Sequence, residues 1–252
     1  MTLPFYMIIQ SAYSNPELSQ RRLEISRHTS IVGLRTQQYK PIVHLALSNQ
    51  DPYAQERLEA YQSTGCEIKP LYRDKWNLYK EEWEIPAGRK VVGRLDDDDV
   101  IPIDFCQRTV AAAPTTGNHA MLWPTGYVFW RQQIFKLTHV GNQFVALLTD
   151  NDHNPHQEQH WQYHKLWHHI NVTNACGWIW VRHGDAATST LPRYRRQQVP
   201  RIDASRFHVN LRAILRACEA SGTPSGDYTE HGNRQTLRYV LKENRANAPR
   251  SL

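Results

Sequence analysis

The chain has 252 residues, of which 40% are hydrophobic and 21% charged. That suits one large or two small globular domains with a sizeable core, and excludes both a disordered chain and one dominated by apolar spans. The formal net charge of +6 is uneven: residues 1–181 hold 17 Lys+Arg against 18 Asp+Glu, net −1, and residues 182–252 hold 13 against 6, net +7. Such a basic quarter favours a polyanionic partner such as nucleic acid or an anionic glycan, or is simply a soluble Arg-rich face. Cys66, Cys106, Cys176 and Cys218 are widely spaced, with no C-x-x-C. They predict buried thiols in a reducing, cytoplasmic setting rather than a disulfide framework. No targeting segment and no membrane span are expected.

In chain order, residues 5–12 form a continuous apolar run that predicts a first buried strand. Tyr13-Ser14-Asn15-Pro16 predicts a turn, with Ser14 or Asn15 as helix cap and Pro16 in the first helical turn. Residues 17–38 read as one helix with Leu18, Leu23, Ile31 and Leu34 as its apolar positions; Arg21, Arg22 and Arg27 lie near its start. Residues 41–48 predict a second strand. Residues 51–64 predict a helix with Leu58 and Tyr61 inward and Gly65 as its stop. Residues 67–71 predict a third strand, and 90–95 a fourth. The aromatic and charged stretch 72–83 has no clean period and suits a helix lining a pocket. Strands alternating with helices imply a parallel sheet with its ligand outside the strands' carboxyl ends.

At the end of the fourth strand stands Arg94-Leu95-Asp96-Asp97-Asp98-Asp99, followed by the apolar Val100 and Ile101. Four adjacent carboxylates repel one another, and a buried cluster of them calls for a cation. Oxygen-only ligands suit Mg²⁺ or Mn²⁺. Period-two alternation sends Asp96 and Asp98 one way and Asp97 and Asp99 the other, which gives a two-carboxylate grip. The alternative is an acidic turn without an ion. Arg94 can neutralise a phosphate or pair with an aspartate.

This Arg-Leu-Asp-Asp-Asp-Asp run after an apolar strand resembles the Asp-x-Asp motif of GT-A-fold glycosyltransferases, in the variant found in a rhamnosyltransferase family. The resemblance is local and strong over residues 90–101, weaker over about 5–185, and absent beyond. It implies a GT-A-like α/β fold, a Rossmann-type mixed sheet flanked by helices. Residues 1–100 would be the nucleotide-sugar half and 101–185 the acceptor half of one catalytic domain, with 186–252 a basic, helical C-terminal extension. It also implies a divalent ion held against the donor's diphosphate by Asp98, with Asp96 on the ribose or base and also near the ion. Tyr13, Arg21, Arg22 and Arg94 would lie on the donor side, although ordinary exposed helix arginines fit Arg21 and Arg22 equally.

Beyond the motif, residues 103–113 predict a helix. Residues 120–130 and 133–137 predict strands of a second, antiparallel layer, with Gly126 and Arg131-Gln132 at turns, and residues 143–148 predict another apolar strand. Trp123, Tyr127 and Trp130 suit either a sugar-stacking surface or the core. Residues 150–169 read as a helix in which His156, His160, His164 and His168 recur every four residues. The stripe is a zinc candidate or a polar helix face; it lacks the glutamate offset of H-E-x-x-H. The resemblance implies a carboxylate near this helix start that deprotonates the acceptor: Asp152, or else Asp150, with Glu158 nearby. Residues 174–182 predict an aromatic strand, and the resemblance makes His183, just beyond it, a further metal ligand. Residues 185–201, with Arg193, Arg195, Arg196 and Arg201, read as a lid or phosphate-contacting loop. Residues 203–221 predict an amphipathic helix with Phe207, Leu211, Ile214 and Leu215 inward, and 235–244 a short basic helix.

The expected function is therefore metal-dependent transfer of a sugar from a nucleotide-sugar donor to a hydroxyl of a saccharide or a hydroxylated DNA base. The rivals are a DNA-modifying glycosyltransferase of the bacteriophage kind, a metal-dependent nuclease or phosphohydrolase using the same aspartates, and a non-catalytic nucleic-acid-binding protein.

Overall fold

The computed structural model describes residues 3–72, 85–151, 155–156, 160–185 and 196–219. Its larger sheet has seven strands in the order β3-β2-β1-β4-β8-β5-β9. These are β1 (Phe5–Gln10), β2 (Ile42–Leu47), β3 (Glu67–Tyr72), β4 (Lys90–Asp96), β5 (His119–Leu122), β8 (Ala146–Thr149) and β9 (His168–Asn171). All run parallel except β8, which is antiparallel to both β4 and β5. The smaller sheet has the order β10-β6-β7-β11, from β6 (Thr125–Trp130), β7 (Gln133–Thr138), β10 (Ile179–Arg182) and β11 (Arg196–Val199). The fold is mixed α/β, with helices flanking two mixed sheets.

β1 is apolar throughout because both of its faces are covered. Phe5, Met7 and Ile9 enter the main core, whereas Tyr6 and Ile8 join a second cluster with Ala46, Ile85 and Val92. The main core also takes Val128, Trp130, Phe135 and Leu137 from the small sheet. That sheet's other face, Tyr127, Phe129, Ile134, Ile179 and Val181, packs with Ile25, Phe207, Leu211 and Ile214. Trp123, Tyr127 and Trp130 are all buried, so they are core rather than a sugar platform; Trp123 stacks on Phe105 with centroids 4.8 Å apart.

Asn15 caps α1 (Pro16–His28) by accepting from the Leu18 amide at 2.9 Å, with Pro16 in the first turn. The expected single helix over 17–38 is two, α1 and α2 (Ser30–Arg35), broken at Thr29 with φ −121° and ψ −99°. The helix α3 (Ala54–Gln62) buries Leu58 and Tyr61, and Gly65 follows it at φ +75°. The helix α4 (Phe105–Ala111) follows the aspartates. Gly126 lies inside β6 rather than at a turn, and the β6–β7 hairpin turns on Arg131 and Gln132 at φ 45° and 65°.

The histidine stripe does not share a helix face. His160–Gln162 is a single 3-10 turn, α5 (Tyr163–Leu166) is short, and His168 already belongs to β9, paired beside His119. Burial of His156 against the Val92 carbonyl, with Nε2 2.9 Å away, anchors one end of this stretch to β4. Strand pairing takes the other end. The last described helix, α6 (Leu211–Glu219), begins later than expected because Asn210 caps it, accepting from the Arg212 and Ala213 amides at 3.1 Å each. Phe207 is buried ahead of it. The stretch 73–84, residues 186–195 of the loop expected over 185–201 and the 235–244 helix lie outside the described residues, and the described end of that loop is the strand β11 rather than a loop.

Candidate functional site

The chain runs from β1 to β2 and β3 on one side and reaches β4 on the other, so the order reverses between β1 and β4. The crevice outside the carboxyl ends of those two strands is where such sheets bind ligands. Ser11 and Tyr13 follow β1 there, and the aspartates follow β4.

Strand alternation stops at Asp96. The Asp99 amide donates to the Asp96 carbonyl at 3.1 Å, closing a β-turn that brings Asp99 back beside Asp96 and Asp98. One carboxylate oxygen from each of these three lies within 4.8 Å of the others. The expected pairing of Asp97 with Asp99 on the opposite face is thereby corrected.

Asp97 is the anchor of the turn. It is fully buried and accepts from Ser11 Oγ at 2.6 Å, from the Tyr13 hydroxyl at 2.8 Å and from Arg22 Nη2. Arg57, also fully buried, stands 3.7 Å away and donates to Ser11 Oγ at 3.0 Å. The Asp97 carbonyl accepts from the Thr29 and Ser30 hydroxyls at 3.2 and 2.8 Å. These bonds account for the helix break, since both hydroxyls sit where α1 hands over to α2.

Asp98 carries the next layer. Its Oδ2 accepts from Arg22 Nη1 at 2.5 Å and lies 2.9 Å from His183 Nε2. Arg22 Nη1 is also 2.9 Å from His183 Nε2. His183 Nε2 can donate to Asp98 when it carries the proton and accept from Arg22 when it does not. The carboxylate oxygen and the imidazole nitrogen thus converge on one cation, Arg22. Burial opposes ionisation of Asp98, but Arg22 and His183 outweigh it and hold its carboxyl well below the usual range.

Asp99 is the opposite case. It accepts from the Val181 amide and from Gln143 Nε2, both at 2.9 Å. Burial, then the charges of Asp98 and Asp96, push its carboxyl well above the usual range. Asp96 is half-buried, with Arg94 Nη2 3.4 Å away. Three convergent oxygen donors, one of them held back from ionising by its neighbours, fit a hard divalent ion, which would relieve that repulsion.

Of the donor-side residues, Tyr13 and Arg22 reach this crevice with their polar atoms turned inward. The Tyr13 hydroxyl donates to Asp97 and accepts from Arg22 Nε at 2.9 Å. Arg21 forks onto Asp185, at 2.8 and 3.2 Å, and ties α1 to the residues after β10. Asp150 is placed elsewhere. Because β8 runs antiparallel to β4, with Thr149 opposite Lys90, Asp150 sits at the amino end of β4. Six residues of strand separate that end from Asp96, about 20 Å. There Asp150 is exposed and pairs with Arg89 at 3.2 Å. Asp152 and Glu158 lie outside the described residues.

Arg57, Ser11 and Gln143 contact the aspartates and were not singled out in the sequence. Ser11 had a signal, as the first polar residue after β1. The others come from distant elements with no motif around them. The sequence matches no family model and no curated protein.

Proposed function

We propose that this chain is a metal-dependent glycosyltransferase that uses a nucleotide-sugar donor. The observation that carries the reading is the convergence of Asp96, Asp98 and Asp99 at the carboxyl end of β4, beside the β1–β4 reversal. The seven-stranded sheet, with β8 its sole antiparallel strand, supports a GT-A-like arrangement. Mg²⁺ or Mn²⁺ held by these carboxylates would neutralise charge on the departing diphosphate. Arg22 and Asp97 hold the turn rigid, and the Val181 amide and Gln143 orient Asp99. The half-buried Asp96 is the carboxylate most open to the donor. The acceptor is a hydroxyl of a saccharide or of a DNA base, and the basic excess of residues 182–252 supports DNA. Among the described residues no helix is long and apolar enough to cross a membrane.

A thermal-shift panel of nucleotide sugars with Mn²⁺, on the wild type and Asp96→Asn, tests the reading. One sugar nucleotide is expected to raise the melting temperature only when Mn²⁺ and Asp96 are both present. The same donor should then release its nucleoside diphosphate in the presence of acceptor. No shift with any donor, together with Mn²⁺-dependent phosphodiester cleavage, would replace the transferase with a phosphohydrolase.

A further inference from the structure

We infer that α3 positions the aspartate turn for its ion: Arg57 and Tyr61 each hold Asp97 through an intervening hydroxyl, and together they tighten the site's grip on Mn²⁺ relative to Ca²⁺. The inference rests on the metal-binding reading of Asp96, Asp98 and Asp99 above. Residues four apart lie on one face of a helix, and both side chains are fully buried.

The count of protons fixes the direction of both relays. Arg57 Nη1 donates to Ser11 Oγ at 3.0 Å. Ser11 has one hydroxyl proton, and it goes to Asp97 Oδ2 at 2.6 Å. A guanidinium behind the hydroxyl polarises that O–H and strengthens its bond to the carboxylate. Arg57 is itself held in place. Its Nη2 donates to the Ser19 carbonyl and hydroxyl at 2.8 and 2.7 Å, and Asp51 Oδ2 stands 3.5 Å from its Nε. On the main-chain side, the Ser30 hydroxyl donates to the Asp97 carbonyl at 2.8 Å, since a carbonyl only accepts. That uses the Ser30 proton, so the Tyr61 hydroxyl, 2.8 Å from Ser30 Oγ, is the donor between those two.

The helix α3 therefore grips one residue at its carboxylate and at its carbonyl. Asp97 is not one of the three carboxylates that converge. It stands between Asp96 and Asp98 in the chain, so its two fixed ends govern where their oxygens fall. Small hard ions such as Mg²⁺, and Mn²⁺ in the same octahedral oxygen sites, need short bonds in regular geometry. Ca²⁺ takes longer bonds in irregular geometry. A clamped turn suits the first kind, and a loosened turn costs Mn²⁺ more than Ca²⁺.

The test is Mn²⁺ binding to the full chain, followed by electron paramagnetic resonance, with Ca²⁺ as competitor. Tyr61→Phe and Ser11→Ala each remove one hydroxyl. Each should weaken Mn²⁺ binding about fivefold, the worth of one hydrogen bond, and Ca²⁺ binding about twofold or less. Arg57→Lys keeps the charge beside Asp51 but lacks the fork, and should weaken Mn²⁺ binding at least as much. Because Arg57 acts through Ser11, the double variant should lose little beyond the larger single loss. Leu58→Ala, on the same helix with its side chain in the core, should lower the melting temperature more than Tyr61→Phe does and leave both ion affinities unchanged. Unchanged Mn²⁺ affinity in folded Tyr61→Phe or Ser11→Ala overturns the inference and leaves the metal reading standing. So does an equal loss in Leu58→Ala, or an equal loss for the two ions. Failure of Mn²⁺ to bind the wild type overturns both.

Discussion

At the scale of single residues, four like side chains in a row have different roles because each faces different neighbours. Asp97 is locked by hydroxyls and arginines, Asp98 is paired, Asp96 is half-open, and Asp99 accepts from a backbone amide and a side-chain amide. The raised affinity of Asp99 for its proton has a definite consequence for pH. A carboxyl whose folded pKa lies above its unfolded value favours the fold while protonated. Its contribution is complete below the unfolded value, near 4, and is lost as pH rises through the folded value. Asp99→Asn imitates the protonated acid, with its oxygen kept on the Val181 amide and its nitrogen facing a turned Gln143 amide. Without metal, this variant should be more stable than the wild type at pH 8 and level with it near pH 4. It should also lose the Mn²⁺-induced stabilisation. Urea melts at the two pH values, with and without Mn²⁺, decide this, and equal stability at pH 8 would contradict it. Arg21 and Arg22 make a second contrast. Arg22→Met strips the cation from two buried carboxylates and should cost about 3–5 kcal/mol. Arg21→Ala breaks a part-exposed pair with Asp185 and should cost about 1 kcal/mol or less. Comparable losses in the two variants would mean that the buried network is not what holds the turn.

Among elements, strands were more legible than their junctions. The runs at β1, β2 and β4 are apolar because both sheet faces are covered, and that pattern marks a strand without reference to what it touches. The position of the aspartates at the carboxyl end of β4 was legible for the same reason. The junctions depend on partners far along the chain. Nothing local in Thr29-Ser30 announces a helix break, because the acceptor that produces it is the Asp97 carbonyl. The four-residue spacing of the histidines suits a helix, but tertiary pairing draws His168 into β9. Asp150 stands apart from the aspartate cluster through direction: a strand read correctly as a strand runs antiparallel, and its end lies at the amino edge of β4. Gly126 illustrates the limit of turn chemistry. A Cβ there would stand 2.0 Å from Cδ2 of Trp178, whose ring is stacked on Phe144 at 5.2 Å and cannot withdraw cheaply. Gly126→Ala should therefore cost about 3 kcal/mol, as overpacking does. Gly65→Ala, at φ +75° with open space around it, should cost about 1 kcal/mol through backbone strain alone. Denaturant melts that rank Gly65→Ala as the worse of the two would show that the Trp178 ring yields.

For the whole molecule, the site is also the seam between the two sheets. Val100 of the aspartate loop bridges Ile179 of β10, and Asp99 accepts from the Val181 amide. Across the same seam Arg22 meets His183 and Arg21 meets Asp185. This seam bears on how the basic quarter should be understood. Of its net +7, residues 182–219 hold 8 Lys+Arg against 3 Asp+Glu, and residues 220–252 hold 5 against 3. Part of the first group serves the fold. Arg182 is buried over the Trp180 ring, and Arg206 binds Asp104 at 2.6 Å and the Cys176 carbonyl at 2.6 Å. The charge offered to a polyanion is accordingly smaller than composition suggests. Each phosphate neutralised steepens the dependence of log K on log salt by roughly 0.9. If DNA is the acceptor, binding of the full chain to a duplex should weaken between 50 and 200 mM salt with a slope of about −3 to −5. Arg216→Glu, on the exposed side of α6, should weaken that binding without changing Mn²⁺ affinity. Fluorescence anisotropy at several salt concentrations measures both. A slope near zero would move the acceptor to the saccharides. A slope steeper than about −8 would mean that the whole quarter, inward arginines included, rearranges onto the nucleic acid.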